Sequence, residues 1–243
     1  MKFYILTLFP EMIQSTLSYS ILGKAQEKNI IQIECINIRD FSKNKHGQVD
    51  DYPYGGGPGM VMQAPPIFDA YNSIVSNIQK KPRVLYMSPQ GKTFNQEMAF
   101  SFSKEKELIF LCGHYEGVDE RIIDTIVTDE VSIGDFVLTG GELAAICIID
   151  SIARLIPGVL GKEASFQQES FTDSLLEYPQ YTRPSIFLDQ PVPEILLSGH
   201  HEKIENWRRQ QSLLRTMKRR PDLLEKANLS KQDWDWIKSI KES

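Results

Sequence analysis

The sequence predicts an α/β protein with a largely parallel sheet, followed by a small helical region. Over the first 160 residues, short apolar runs alternate with segments of helical periodicity at the spacing of successive strand–helix units. After Gly161 the strand signals stop, and the chain becomes polar, then rich in proline, then helical and charged. The alternation favours one sheet with helices on both faces, and the change of character indicates a second region.

Five apolar runs predict the strands of this sheet. Each run is short, and several stop abruptly at glycine or proline, as buried strands of a parallel sheet do. The predicted strands cover residues 3–9, 30–38, 83–87, 107–112 and 130–133.

Five segments between these runs predict helices. The first rests on Met12, Leu17, Ile21 and Ala25, which recur near helical spacing. The second opens with proline, a residue favoured in the first turn of a helix. The predicted helices cover residues 11–27, 66–78, 95–104, 119–127 and 141–156. Residues 40–66 are rich in Gly, Pro and Asp without periodicity, so a long irregular stretch is predicted there.

Three predicted strands end in loops that contain glycine, at residues 88–91, 112–117 and 132–141. Because the carboxyl ends of parallel strands lie at one edge of a sheet, we expect these loops to meet and to bind a ligand. Neither a P-loop nor a GxGxxG pattern is present. Backbone donors and acceptors with little charge suit the edge of an adenine better than a polyphosphate. The loops therefore predict an adenosine-like ligand with few phosphates.

Composition narrows the class of protein. Hydrophobic residues make up 41% and charged residues 24%, as in ordinary soluble enzymes. No apolar run approaches the roughly 18 residues that a membrane-spanning helix needs. Cys35, Cys112 and Cys147 form no CxxC pair, so neither a zinc site nor a disulfide framework is predicted. A reducing cytoplasmic location is expected.

The distribution of charge is more informative than its sum. The formal net charge is −5, yet residues 200–220 contain seven Lys or Arg and only two Glu. Such a segment on an acidic body can bind phosphates. It can equally be a solvated helix face that balances acidic neighbours. Charge alone leaves both interpretations open.

Seven motifs, in order along nearly the whole chain, resemble those of the bacterial tRNA (guanine-N1)-methyltransferases of the SPOUT family. They are YGGGPGMVM (54–62), SPQG (88–91), CGHYEGVDER (112–121), SIGDFVLTGGELA (132–144), RLIPGVLG (154–161), YPQYTRP (178–184) and SGHHEKIENWRRQQSLLRT (198–216). The resemblance implies an α/β domain with a deep trefoil knot, a helical C-terminal domain, and a homodimer with active sites between its subunits. It divides the chain into a cofactor-binding domain (1–161), a linker carrying the candidate base (162–174) and a tRNA-binding domain (175–243).

The resemblance further implies that the three glycine-containing loops bind S-adenosyl-L-methionine. The implied binding residues are Tyr86, Ser88, Pro89, Gly91, Gly113, Tyr115, Glu116, Gly117, Ile133, Gly134, Asp135, Phe136, Val137, Leu138, Gly140 and Gly141.

The implied reaction is methyl transfer to N1 of guanosine 37 in tRNA, next to the anticodon. Guanine N1 carries a proton, so a base must remove it while negative charge builds on O6. Arg154 matches the arginine of the family, and a guanidinium can stabilise that charge. The family usually has aspartate before Ser-Phe, whereas this chain has Glu169, which keeps the carboxylate but is longer by one methylene. Glu169 is the predicted base, and Asp173 is a weaker alternative.

Other residues receive secondary predictions. His114 stands where many relatives carry arginine, and a contact residue is favoured over a ligand role. His200 and His201 have no third metal ligand at usable spacing, so no metal site is predicted, although the family suggests that Mg²⁺ takes part. The candidate tRNA-binding residues are Arg208, Arg209, Arg215, Arg219 and Arg220, with Trp207 as a packing anchor.

Two other functions are compatible with parts of the sequence. A SPOUT enzyme acting on ribosomal RNA is one, but the complete set of motifs argues against it. A tRNA-binding homologue that binds the cofactor yet has weak or no activity is the other, and Glu169 in place of aspartate is the only feature that favours it.

Overall fold

The protein, seen in a computed structural model that describes residues 1–76, 78–161, 169–171 and 173–241, forms two compact units. The units comprise Met1–Lys162 and Glu163–Ser243.

The first unit alternates strands and helices. In chain order its elements are β1 (Lys2–Thr7), α1 (Pro10–Leu17), α2 (Ser20–Glu27), β2 (Gln32–Asn37), a 3₁₀ turn (Ile38–Phe41), β3 (Asp50–Asp51), β4 (Val61–Met62), α3 (Ala64–Val75), β5 (Arg83–Thr93), α4 (Gln96–Phe102), β6 (Glu107–Leu111), α5 (Glu120–Ile126), β7 (Asp129–Ser132) and α6 (Glu142–Ala153). Five of the strands form one sheet in the order β2-β1-β6-β5-β7, and every pair in it is parallel. The predicted α/β architecture with a parallel sheet is confirmed.

Strand β1 lies inside the sheet and is covered on both faces. Successive side chains of a strand point to opposite faces. Tyr4 and Leu6 belong to a buried cluster that includes Ile67 of α3. Phe3 and Ile5 lie outside that cluster and are also fully buried. Two buried faces explain why this strand is a continuous apolar run in the sequence.

The predicted helix over residues 11–27 is wrong as a single element, because the chain forms α1 and α2 with a break between them. Ser20 has a φ of 57°, which an uninterrupted helix does not allow. Ile21, predicted to face the core, is half exposed, and Leu22 is buried instead. The break rotates the second half of the segment, so a single helical period could not assign its inner face.

Strand β5 is longer than the predicted 83–87, because pairing with β7 resumes after residues 88–91. Val131 is the partner of both Met87 and Lys92, so the four residues between them bulge out of the ladder. The predicted loop at 88–91 is therefore an insertion within one strand. The stretch 40–66 also holds more structure than expected, because β3 and β4 pair antiparallel within it.

The second unit is mostly helical where it is described. Its elements are β8 (Ile186–Phe187), β9 (Gln190–Pro191), α7 (Glu194–Leu197), α8 (His201–Arg219), α9 (Pro221–Leu224) and α10 (Lys231–Lys241). The small β8–β9 hairpin was not predicted. Leu175, Leu213 and Ile237 form the buried centre of this unit. Across the described residues of both units, none of the helices is long and apolar enough to cross a membrane.

Candidate functional site

A cleft of about 350 Å³ lies at the carboxyl ends of β5, β6 and β7. Its volume is within the usual range for small-molecule sites. The structure brings together fourteen of the sixteen predicted binding residues as its lining. They are Tyr86, Ser88, Pro89, Gly113, Tyr115, Glu116, Gly117, Ile133, Gly134, Phe136, Val137, Leu138, Gly140 and Gly141.

The other two predicted residues do not line the cleft. Asp135 is exposed in the third loop. Gly91 faces β7 instead, and a Cβ at this position would collide with the backbone of Glu130 and Val131. Gly91 therefore permits the close approach of two strands. Seven lining residues were not predicted, although all except Val131 lie within the motifs quoted above or beside Tyr86. They are Met87, Gln90, His114, Val131, Ser132, Thr139 and Ala144.

The second and third loops are joined to each other. The N–H of Gly141 donates to the carbonyl of Gly113 at 3.0 Å, and a Cβ at residue 141 would lie 2.9 Å from the Cα of Cys112. At Gly140 a Cβ would collide with the imidazole of His114. Glycine at 141 therefore lets the two loops pack backbone against backbone, and glycine at 140 leaves room for the His114 side chain.

Much of the lining of the cleft is backbone. Gly117 and Gly134 have φ values of 122° and 145°, where only glycine is comfortable. The N–H of Leu138 donates to no acceptor in the described part of the chain. Burial raises the pKa of the Tyr86 phenol, with a contribution from Glu130, so this side chain stays neutral. The cleft thus offers hydrogen-bonding groups and an aromatic side chain with little fixed charge, as the sequence predicted.

A buried hydrogen-bond chain supports the cleft from behind. The Nε2 of His114 lies 2.7 Å from Oε2 of Glu142, and the hydroxyl of Thr7 donates to Oε1 of Glu142 at 2.6 Å. The N–H of Phe9 donates to the Thr7 hydroxyl, and the Phe9 ring packs edge-on against His114. The Glu142 side chain is only 2% exposed, so its carboxylate depends on these partners. His114 therefore contacts the cleft and holds the second loop to α6.

The predicted catalytic residues belong to different units. Arg154 is half-buried and follows the last turn of α6, with its N–H donating to the carbonyl of Asp150. Glu169 is half-buried in the second unit and precedes Ser170, whose hydroxyl accepts from the N–H of Glu177. Most of the predicted linker, residues 162–168 and residue 172, lies outside the described residues.

The five candidate tRNA-binding arginines differ in their surroundings. Arg209 is held by Asp233 at 3.0 Å and by Asp173 at 3.5 Å. Arg208 pairs with Glu205 and lies 4.9 Å from the centroid of the Tyr178 ring. Trp207, the predicted packing anchor, contacts the ring of Tyr181.

Of the remaining three arginines, Arg219 and Arg220 are exposed and Arg215 is half-buried. Arg215 donates to the carbonyl of Glu177 at 3.2 Å, and Arg220 pairs with Asp222. Arg219 is exposed, and its guanidinium forms no ion pair within the described part of the chain. Arg219 is therefore the arginine of this set whose charge is most available.

The described residues around the cleft include no metal site. Across residues 1–76, 78–161, 169–171 and 173–241, no three His, Cys, Asp or Glu side chains are grouped so that they could hold an ion. His200 precedes α8 and His201 begins it, and both are exposed. The described residues therefore do not fit the Mg²⁺ that the resemblance suggests, and no step of the reaction is assigned to it.

The fold and the cleft together define a class. A parallel α/β sheet with a largely backbone-lined cleft of little charge at its carboxyl edge is typical of proteins that bind a nucleoside-like small molecule.

Comparison with known proteins gives the family. Residues 1–226 match the family described as tRNA (Guanine-1)-methyltransferase TrmD, and the chain belongs to this family. Similar relatives occur in Caldicellulosiruptor saccharolyticus (60% identical, covering 98% of this chain and 96% of the relative) and Clostridium perfringens (58%, covering 98% and 100%). Another occurs in Alkaliphilus oremlandii (57%, covering 98% and 97%). Each of these relatives is named tRNA (guanine-N(1)-)-methyltransferase.

Proposed function

We propose that this chain transfers the methyl group of S-adenosyl-L-methionine to N1 of guanosine 37 in tRNA. Membership of the TrmD family over residues 1–226 is the observation that carries this proposal. The relatives bearing the matching name cover nearly the whole chain at 57–60% identity. The cleft at the carboxyl edge of the sheet supplies a site of suitable size and chemistry.

The residues of the cleft fit the co-substrate. Backbone groups such as the N–H of Leu138 can meet the edge of an adenine, and the neutral Tyr86 side chain can pack against an apolar part of the ligand. The glycines that join the second and third loops keep that backbone in place before the ligand arrives. When bound, S-adenosyl-L-methionine supplies an activated methyl group. The cleft residues bind it, orient it and exclude water.

The acceptor base is activated by two side chains. Glu169 accepts the N1 proton of guanine, so that the nitrogen lone pair becomes available to attack the methyl carbon. Arg154 donates hydrogen bonds to O6, where negative charge develops as the proton leaves. Since glutamate reaches one methylene further than aspartate, the backbone before Ser170 must lie correspondingly further from the guanine.

We propose that the second unit contributes to tRNA binding. Its exposed basic residues at the end of α8, including Arg219 and Arg220, are suited to phosphate contacts. Arg209 is already committed to two carboxylates, so we assign it a smaller share of that contact.

Three features of the overall architecture are part of the same proposal. They are the deep trefoil knot, the division into a cofactor-binding domain, a linker and a helical tRNA-binding domain, and the homodimer. The packed second and third loops are compatible with a knot.

Exposed Met12, Ile21 and Leu143 supply apolar surface for a dimer contact. Sedimentation equilibrium should then give twice the chain mass of 27.8 kDa, and a monomer at micromolar concentration would contradict the dimer.

We propose a cytoplasmic location, and we propose that any part Mg²⁺ takes in the reaction does not depend on a metal site among the described residues. The three cysteines are free, as expected in a reducing compartment. Methyl transfer after removal of metal by a chelator measures the part played by the ion.

The decisive experiment uses labelled S-adenosyl-L-methionine and two tRNA transcripts that differ only in guanosine or adenosine at position 37. We expect label in the guanosine transcript alone. Label in neither transcript, with the co-substrate still bound, would favour the inactive tRNA-binding homologue. Label in both would contradict the assignment of the target base.

A further inference from the structure

Glu169 is followed at once by a loop that is closed on itself. This loop is residues 170–177, of which the structure describes all except residue 172. The N–H of Glu177 donates to the hydroxyl of Ser170 at 3.0 Å. The N–H of Phe171 donates to the carbonyl of Leu175 at 2.8 Å. The side chain of Ser170, the residue next to the proposed base, is therefore bonded to the backbone of Glu177.

The loop is also attached to helix α8. The N–H of Leu176 donates to the Thr216 hydroxyl at 2.8 Å, and Arg215 donates to the carbonyl of Glu177. Leu175, which is 5% exposed, packs in the buried cluster with Leu213 of the same helix. Side chains within about one turn of α8, from Leu213 to Thr216, thus hold this short segment.

Thr216 is the central attachment. Its side chain is fully buried, and its hydroxyl donates to the carbonyl of Ser212 at 2.7 Å while it accepts from Leu176. A hydroxyl can do both because it has one proton and two lone pairs. Valine would occupy the same volume but would leave the N–H of Leu176 without its partner. Since a partly buried donor without a partner is costly, we expect the loop to shift so that this N–H finds another acceptor.

We propose that Thr216 is a positioning residue for methyl transfer, because it fixes the loop that presents the Glu169 carboxylate. The inference rests on the proposed role of Glu169 as the base. Ser170 and Arg215 are the secondary attachments, one closing the loop and the other tying its end to α8. In this role Arg215 acts on the rate of the reaction, in addition to any contact with phosphate.

The test is the single-turnover rate of methyl transfer by Thr216→Val at saturating enzyme and co-substrate. We expect the rate to fall about 10- to 100-fold, because a displacement of about 1 Å at a reacting group costs that much. The affinities for tRNA and for S-adenosyl-L-methionine should stay unchanged, and the shape of the pH–rate profile should be kept because the base is the same. Thr216→Ser, which retains the hydroxyl, should restore the rate.

A matched control separates the attachment from the loss of a helical hydrogen bond. Thr16 donates to the carbonyl four residues earlier, that of Met12, at 2.8 Å, but accepts from no donor in the described part of the chain. Thr16→Val should therefore keep the wild-type rate. Ser170→Ala is a second test variant, because Ser170 closes the same loop but lies outside the buried cluster. If Thr216→Val does not fold, the same measurements on Ser170→Ala test the positioning role.

The possible outcomes distinguish a failure of the Thr216 role from a failure of the proposed role of Glu169. A wild-type rate in Thr216→Val, with Glu169→Gln inactive, would overturn the positioning role alone. Weaker tRNA binding at an unchanged saturated rate would overturn it as well, because that pattern marks a binding defect. Activity in Glu169→Gln would overturn the assignment of the base and the inference together.

Discussion

At the scale of single residues, the proposed reaction depends first on the carboxylate of Glu169. Glutamine has the same shape but cannot accept the N1 proton, so Glu169→Gln should lower methyl transfer by about a hundredfold or more. The affinity for S-adenosyl-L-methionine, measured by calorimetry, should hardly change, because the proposed role of Glu169 is to accept a proton from the guanine and not to bind the co-substrate. Glu169→Asp is the matched control: it keeps a carboxylate but is shorter by one methylene, so it should be slower than the wild type yet clearly more active than Glu169→Gln. Near-normal turnover by Glu169→Gln would move the base elsewhere, with Asp173 the next candidate.

A second prediction at this scale concerns Gly140. A Cβ there would collide with the imidazole of His114, which cannot move freely because Glu142 and Phe9 hold it. Gly140→Ala should therefore displace the third loop and weaken the binding of S-adenosyl-L-methionine by about tenfold or more, the equivalent of roughly 1.4 kcal/mol. Gly161→Ala is the control, because a Cβ at that position would meet nothing within 4 Å. Equal affinities in the two variants would show that the loops tolerate the collision.

At the scale of elements, the ion pair between Arg209 of α8 and Asp233 of α10 stabilises the second unit. Burial opposes ionisation of Asp233, but hydrogen bonds with Arg209 and Ser230 outweigh it and lower the pKa of the carboxyl below its ordinary 3.8. A lowered pKa means that the stabilisation is complete above about pH 4 and is lost as the pH falls through the folded-state value. Asp233→Asn should thus cost on the order of 2 kcal/mol at pH 7, and this cost should shrink towards pH 3.

Urea unfolding of both proteins between pH 7 and pH 3 measures that difference. Asp222→Asn, which removes a fully exposed partner of Arg220, is the control and should have little effect on the free energy of unfolding at any pH. A difference between Asp233→Asn and the wild type that does not change with pH would contradict the role of the ionised carboxylate.

The elements also show where local pattern stops being informative. The continuous apolar runs of β1 and β6 were predictable because both strands are buried and leave a simple signal. The extension of β5 beyond Met87 was not predictable, because it depends on pairing with β7, a strand about 40 residues later in the chain. The break between α1 and α2 was not predictable either. The residues at the break, Ser18 and Tyr19, are not the glycine or proline that usually indicates the end of a helix.

At the scale of the whole molecule, an acidic chain must bind a polyanion. The formal net charge of −5 makes binding depend on a local basic surface, so the affinity for tRNA should fall steeply with salt. Arg219→Ala should weaken binding and reduce the slope of log K against log salt by about one, because its exposed charge is free to displace one counterion. Filter binding at roughly 50 to 200 mM salt measures both the affinity for tRNA and the slope.

The control for this measurement is Lys104→Ala. It removes the same charge from an exposed position in the first unit and should leave the slope unchanged. A flat salt response in the wild-type protein would argue against the basic surface as a whole. Equal effects of Lys104→Ala and Arg219→Ala would show that the affinity for tRNA depends on net charge and not on a local basic surface.

The sequence by itself determined the class of fold, the three loops and the kind of ligand that they suit. It could do so because buried strands and glycine-containing turns leave local signals in the chain. Tertiary structure alone decided that His114 and Thr7 meet on Glu142, and that Arg209 and Arg215 are engaged within their own unit. These contacts join residues between 24 and 135 positions apart, and a local sequence pattern cannot indicate pairs at such separations. The role of Thr216 belongs to the same group, because in the sequence it is one threonine in a helix, and only packing shows what its hydroxyl holds.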